Sequence, residues 1–89
     1  MKIQNLKSEY LIDLGHRIKL VRTFLKYDQK MLAEFLSTVP SQISKIESGK
    51  SAPTLYYLLR IKELVDQDDY LRENLSWDLL LEGKGRGVF

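Results

Sequence analysis

Apolar residues recur at steps of three and four through most of this chain, and no alternation of strand period is sustained for a useful length. Leu11, Leu14, Ile18, Val21 and Leu25 mark one helical stripe, which predicts a first helix from about Ser8 to Leu25. Ser8 is its expected N-cap, with Glu9 near the positive helix end. Met31, Leu32, Phe35 and Leu36 predict a second helix over 29–36, capped by Asp28. A turn, Ser37-Thr38-Val39, leads to Pro40, which suits the first position of a third helix because its missing N–H costs nothing there. That helix turns Ile43 and Ile46 inward and runs to about Ser48, where Gly49 is a good left-handed terminator. Pro53 and Thr54 open a fourth helix, with Leu55, Leu58, Leu59, Ile61 and Leu64 on a broad apolar face. Val65 to Asn74 either extends it or forms a separate short helix. Ser76 caps a final helix over 77–82. Gly83-Lys84-Gly85-Arg86-Gly87 ends it and starts a flexible tail closing on Val88 and Phe89. A phosphate loop would need a preceding strand and a following helix, and the pattern supplies neither. The expected fold class is all-α, a bundle of five to six helices.

The outer face of the third helix carries Ser41, Gln42, Ser44 and Lys45, too polar a set to serve only as core. Small and amide side chains followed by a lysine suit a helix that lies in a DNA major groove. Gln29, the Leu32-Ala33-Glu34 run, Ile43-Ser44-Lys45-Ile46-Glu47, Gly49 and Pro53 together resemble the Xre-type, lambda-repressor-like helix-turn-helix family, over roughly Leu14 to Leu64. No one of these motifs is rare; their joint spacing is specific. The resemblance implies a lambda-repressor-like bundle. Residues 14–64 would form the DNA-binding core, 1–13 a lead-in, 65–82 a C-terminal helical extension and 83–89 the tail.

The same resemblance implies roles for single residues. Gln29 matches a glutamine that contacts a DNA phosphate, as the start of a helix favours. Ser41, Gln42, Ser44 and Lys45 become candidates for base contact, with Lys45 open to a phosphate contact instead. Lys50, Ser51 and Thr54 are placed to donate to phosphates across the groove, and Lys19 and Lys26 to add general attraction. Arg22 and Glu47 match an ion pair that links the first helix to the end of the third. Three departures stand out. Pro40 occupies a position where several relatives carry a base-reading glutamine. Ser37 stands where the turn commonly has Gly, at a cost if that residue needs φ > 0. Val39 stands where a capping Ser or Thr is usual, with Thr38 one position early.

Length and composition narrow the reading further. Eighty-nine residues, 44% hydrophobic, allow one domain with a modest core. There is no cysteine and a single histidine, His16, so thiolate chemistry and multi-histidine metal sites are excluded. No catalytic set, metal site or cofactor loop is legible: the adjacent Asp68 and Asp69 read as solvated, and the sequon at Asn74-Leu75-Ser76 has no secretory context. No apolar run reaches the ~18 residues of a membrane span. The N-terminus is too interrupted by charge for a signal peptide, so a cytoplasmic location is expected.

Charge is segregated. From Leu14 to Pro53 seven basic and three acidic residues give +4; from Arg60 to Glu82 three basic and seven acidic give −4. The basic half suits phosphate. The resemblance to the Xre-type family implies a sequence-specific regulator of transcription that binds double-stranded DNA, most often as a repressor and a homodimer, and with no catalytic set legible a non-enzymatic protein is expected. The alternative is an antitoxin that binds a toxin protein and represses its own operon. Tyr70, Trp77, Leu80 and Leu81 are the expected dimer contacts, with Val88 and Phe89 as further candidates, unless this segment only closes the monomer's core.

Overall fold

The computed structural model describes residues 3–83, and side chains from residue 9 onward. Among these residues it contains six helices and no strand: α1 (Ile3–Phe24), α2 (Gln29–Phe35), α3 (Pro40–Glu47), α4 (Leu55–Gln67), α5 (Asp69–Asn74) and α6 (Trp77–Glu82). The first helix begins earlier than its stripe suggested. Ser8 lies inside α1 and is not its N-cap, and the expected lead-in from residue 3 onward is helical. Tail residues Lys84 to Phe89, and the dimer role suggested for Val88 and Phe89, lie outside the described residues.

Side-chain caps define most helix starts. Asp28 accepts from the Met31 N–H at 2.7 Å, Thr54 from Tyr57 at 3.1 Å, Asp68 from Leu71 at 2.9 Å and Ser76 from Leu79 at 3.0 Å. Asp68 also settles the open stretch from 65 to 74. The chain leaves helical geometry at that residue (φ −100°, ψ 123°), so α4 extends to Gln67 and a separate α5 follows. α3 alone among α2–α6 lacks a side-chain cap, since Val39 has none to offer and Pro40 follows it.

Three helix ends share one chain reversal. After α3, the Gly49 N–H donates to Ile46 O and the Lys50 N–H to Lys45 O, with Gly49 left-handed at φ 81°. The same pair of bonds closes α2 through Ser37 and Thr38 and closes α1 through Lys26 and Tyr27. In those two cases the left-handed residue is not glycine: Ser37 has φ 58° and Lys26 φ 63°.

α1 packs on α3 and α6, α2 on α3, and α4 on α5. One core joins them all. Leu14, Ile18 and Val21 of α1 meet Leu32, Leu36, Ile43 and Ile46, and the same cluster takes in Ile61, Leu64, Val65, Leu71, Leu75, Leu79 and Leu80. Leu80 is only 2% exposed, so it belongs to the monomer's core and offers nothing to a partner. The broad apolar face expected on α4 is narrower than its sequence implied: Ile61, Leu64 and Val65 are buried, whereas Leu55 and Leu59 are exposed. Met31 of α2 is exposed as well.

Two contacts position α1 against its neighbours. A Cβ on Gly15 would lie 2.2 Å from Ile46 O and 2.8 Å from Glu47 O, so α1 crosses the end of α3 backbone to backbone. Arg17 donates through Nε to Leu80 O at 2.7 Å and through Nη2 to Leu81 O at 2.9 Å. A cation at carbonyls of the last turn of α6 satisfies groups that the helix itself leaves open.

Two substitutions separate propensity from packing. Gly15→Ala gains about 1 kcal/mol of helix propensity, but the added methyl meets backbone, which no rotamer relieves. The expected net result is a loss of about 1–3 kcal/mol, read as a lower urea midpoint. Ser37→Gly removes a left-handed non-glycine residue on the surface, and a gain of about 0.5–1 kcal/mol is expected in the same assay.

Candidate nucleic-acid interface

α3 is amphipathic at close range. Ile43 and Ile46 are 1% and 3% exposed and face the core. Ala33, 1% exposed, is the small residue of α2 within that packed cluster. Ser41, Ser44, Lys45 and Ser48 are exposed and follow one another at steps of three and four, which aligns them in one stripe on the opposite side. Ser48 was not singled out from the sequence, although its spacing from Ser41 and Ser44 would have found it.

The stripe is held in place from behind by a buried polar network. Arg22 of α1 donates through Nε to Glu47 Oε2 at 2.6 Å and through Nη2 to Glu47 Oε1 at 3.1 Å. The two side chains are 10% and 4% exposed. Nη1 of the same guanidinium donates to Tyr27 O at 2.8 Å, in the connection between α1 and α2. Gln29 of α2 adds a third link, its Nε2 donating to Glu47 Oε1 at 3.2 Å. A buried charge without these partners would be costly; with them, Glu47 ties three helices together.

Gln29 is half-buried, and its bond to Glu47 leaves the amide oxygen and one N–H uncommitted. Asp28 places a carboxylate at the same helix end and already takes the Met31 N–H. A phosphate there would meet the Gln29 amide rather than a bare helix terminus. Lys19, Gln29, Ser44, Glu47 and Ser48 line one open pocket of about 200 Å³, which brings an α1 lysine beside the exposed α3 stripe. Lys26 is exposed at the end of α1.

The connection from α3 to α4 carries the remaining candidates. Lys50 and Thr54 are exposed, and Ser51 is half-buried. Ser51's N–H reaches back to Lys45 O at 3.3 Å. Gln42 does not lie free on the outer stripe: it is half-buried, and its Nε2 donates to Ser51 Oγ at 3.1 Å. Of the dimer candidates, Tyr70 is 49% exposed and stacks on Phe24 with ring centroids 5.4 Å apart. Trp77 and Leu81 are partly buried against the core.

Arg17 belongs to the α6 contact and Arg22 to the Glu47 network, so neither of these basic residues is held in reserve for phosphate. Sequence reasoning missed the role of Arg17 because its acceptors lie 63 and 64 positions away. It also missed Gly15, whose only signal was a glycine inside an otherwise helical run. His16 is exposed. Among the described residues no group of three or more His, Cys, Asp or Glu side chains could hold a metal ion, and no helix is long and apolar enough to cross a membrane.

Two short helices, a tight left-handed turn and an exposed polar stripe on the second helix are the parts of a helix-turn-helix unit. The profile of a helix-turn-helix domain matches residues 15–84. The chain belongs to the helix-turn-helix domain family. The match reaches well past α4, so α5 and α6 fall within the domain. It supports DNA-binding regulation as the class of function. No curated protein and no solved structure matches the chain.

The Glu47 network makes a stability prediction. Glu47→Ala leaves the Arg22 guanidinium buried with only the Tyr27 carbonyl, and a loss of ~3–5 kcal/mol is expected in urea unfolding. Glu47→Gln retains hydrogen-bonding capacity toward its neighbours and should lose less.

Proposed function

We propose that the protein is a sequence-specific DNA-binding regulator of transcription that places α3 in the major groove and acts as a repressor by occupying its operator. The observation that carries this reading is the α3 stripe of Ser41, Ser44 and Lys45, exposed on one side and fixed from behind through Glu47. Ser41 and Ser44 offer short hydroxyls that fit close to base edges, and Lys45 donates to guanine O6 and N7. Gln29, Lys50, Ser51 and Thr54 surround the stripe with donors for phosphate, which set register without reading sequence.

One recognition helix reads only a few base pairs, so the finer reading is a homodimer that sets two copies of α3 about 34 Å apart on one DNA face. Tyr70, with Phe24 stacked on it, is the exposed aromatic surface available for that contact on α5. Trp77 and Leu81 contribute only what they do not spend on their own core.

Selection of bound sites from random duplex DNA tests the function, and sedimentation of the free protein tests the dimer. A palindromic selected site bound by a pair of chains is expected; recovery of no preferred sequence would overturn the specific regulator. On the selected site, Lys45→Ala should cost about 1–3 kcal/mol and relax preference at one base-pair position. Gln29→Ala should weaken selected and random duplexes alike. Equal losses on both duplexes for Lys45→Ala would make it a backbone contact.

A further inference from the structure

Gln42 occupies the third position of α3, where a glutamine is well placed to read adenine. Its amide is turned instead toward the loop that follows the helix, 3.1 Å from Ser51 Oγ, and this bond spans nine residues of sequence. We propose that Gln42 is a positioning residue: it holds the Ser51 hydroxyl so that its proton faces a DNA phosphate, and it reads no base. The proposal rests on the DNA-binding reading above.

The chemistry of the hydroxyl carries the argument. A serine hydroxyl has one proton to donate and two lone pairs. Gln42 fills a lone pair, and Ser51 Oγ donates to no acceptor among the described residues. Its proton is therefore unspent. A phosphate oxygen only accepts, so it is the ligand that completes this hydroxyl. Thr54 is in the same condition three residues later: its Oγ1 accepts from the Tyr57 N–H and keeps its proton. Exposed Lys50 lies beside Ser51, and from Ser48 to Lys62 the chain has no acidic residue. The loop thus presents two oriented hydroxyl donors and a cation, with no carboxylate from its own stretch to compete for them.

Backbone bonds keep the loop near α3, since the Lys50 and Ser51 N–H groups both reach Lys45 O. They fix the chain and leave the Ser51 side chain free to rotate. The Gln42 amide is the contact that selects its direction. Base reading then falls to Ser41, Ser44 and Lys45, and Gln42 ties the first turn of α3 to the phosphate-facing loop.

The test compares full-length wild type with Gln42→Met, Ser51→Ala and the double variant. Each is titrated by fluorescence anisotropy on the selected duplex and on a random one at fixed salt. Met keeps the length of Gln and removes its donor. Each single change is expected to weaken binding roughly three- to tenfold on both duplexes, as for loss of one hydrogen bond. The double variant should be no weaker than either single, because both remove the same contact. A repeated site selection with Gln42→Met should return the wild-type sequence. Ser51→Ala alters a single hydroxyl in a loop, so it keeps the test alive if Gln42→Met folds poorly: full affinity in Ser51→Ala would overturn the proposal. A changed base preference in Gln42→Met, or additive losses in the double variant, would overturn it as well. Wild type that binds no duplex would remove the DNA-binding reading itself, and this inference with it.

Discussion

Glu47 fixes the orientation of the molecule. One carboxylate receives two bonds from Arg22 on α1 and one from Gln29 on α2, while itself ending α3. A buried pair of this kind contributes little net stability over a packed apolar pair, but it accepts few geometries. Gly15 supplies what the ion pair cannot. By letting the backbone of α1 touch the carbonyls of Ile46 and Glu47, it sets the distance between the helices, and the charges then set their rotation. Ile43 and Ile46 can fill the space beneath α3 because both are fixed.

Charge segregation survives in the structure with a different meaning. Arg17 and Arg22 are spent inside the fold, so the exposed basic residues of the first half are Lys19, Lys26, Lys30, Lys45 and Lys50. All are lysines, compact charges that attract phosphate without imposing a planar geometry on it. Their attraction weakens with salt. In the acidic half, Glu63 pairs with Arg60, Asp66 with Lys62 and Asp69 with Arg72, all within one helical turn. Such exposed pairs contribute about 0–1 kcal/mol each. They organise the surface locally; only Arg60 of the three pairs also ties elements together, donating through Nη2 to Phe35 O of α2 at 3.3 Å.

How much could be read in advance depended on the reach of each interaction. Asp28, Pro40, Gly49 and Ser76 act within three or four residues of themselves, and their roles were legible from residue type and spacing. Ser37 was legible as a condition, and its φ of 58° meets it. Asp68 was harder, because Asp66, Asp68 and Asp69 are all capable N-caps and only the geometry picks out the one that breaks the helix. Gly15, Arg17 and the Gln42–Ser51 bond need a partner that chain folding brings in, so composition carries no sign of them. Leu55 and Leu59 misled for the converse reason. Apolar residues at helical spacing predict a buried face, yet α4 has more of them than its neighbours can cover. The exposure of Ser41, Ser44 and Lys45 on the outer face of α3 was readable, whereas the side on which Gln42 spends its amide was not.

α3 is also held unequally at its two ends. Its last turn is clamped by Glu47, by the Gly15 contact and by the loop bonds to Lys45 O. Its first turn follows a valine that offers no side-chain cap, and Pro40 brings no N–H of its own. Mechanically the helix is a beam fixed firmly at one end and tethered at the other by the single Gln42–Ser51 bond. Small tilts of such a beam move Ser41 far more than Lys45. Compliance is therefore graded along the helix, greater at Ser41 than at Lys45.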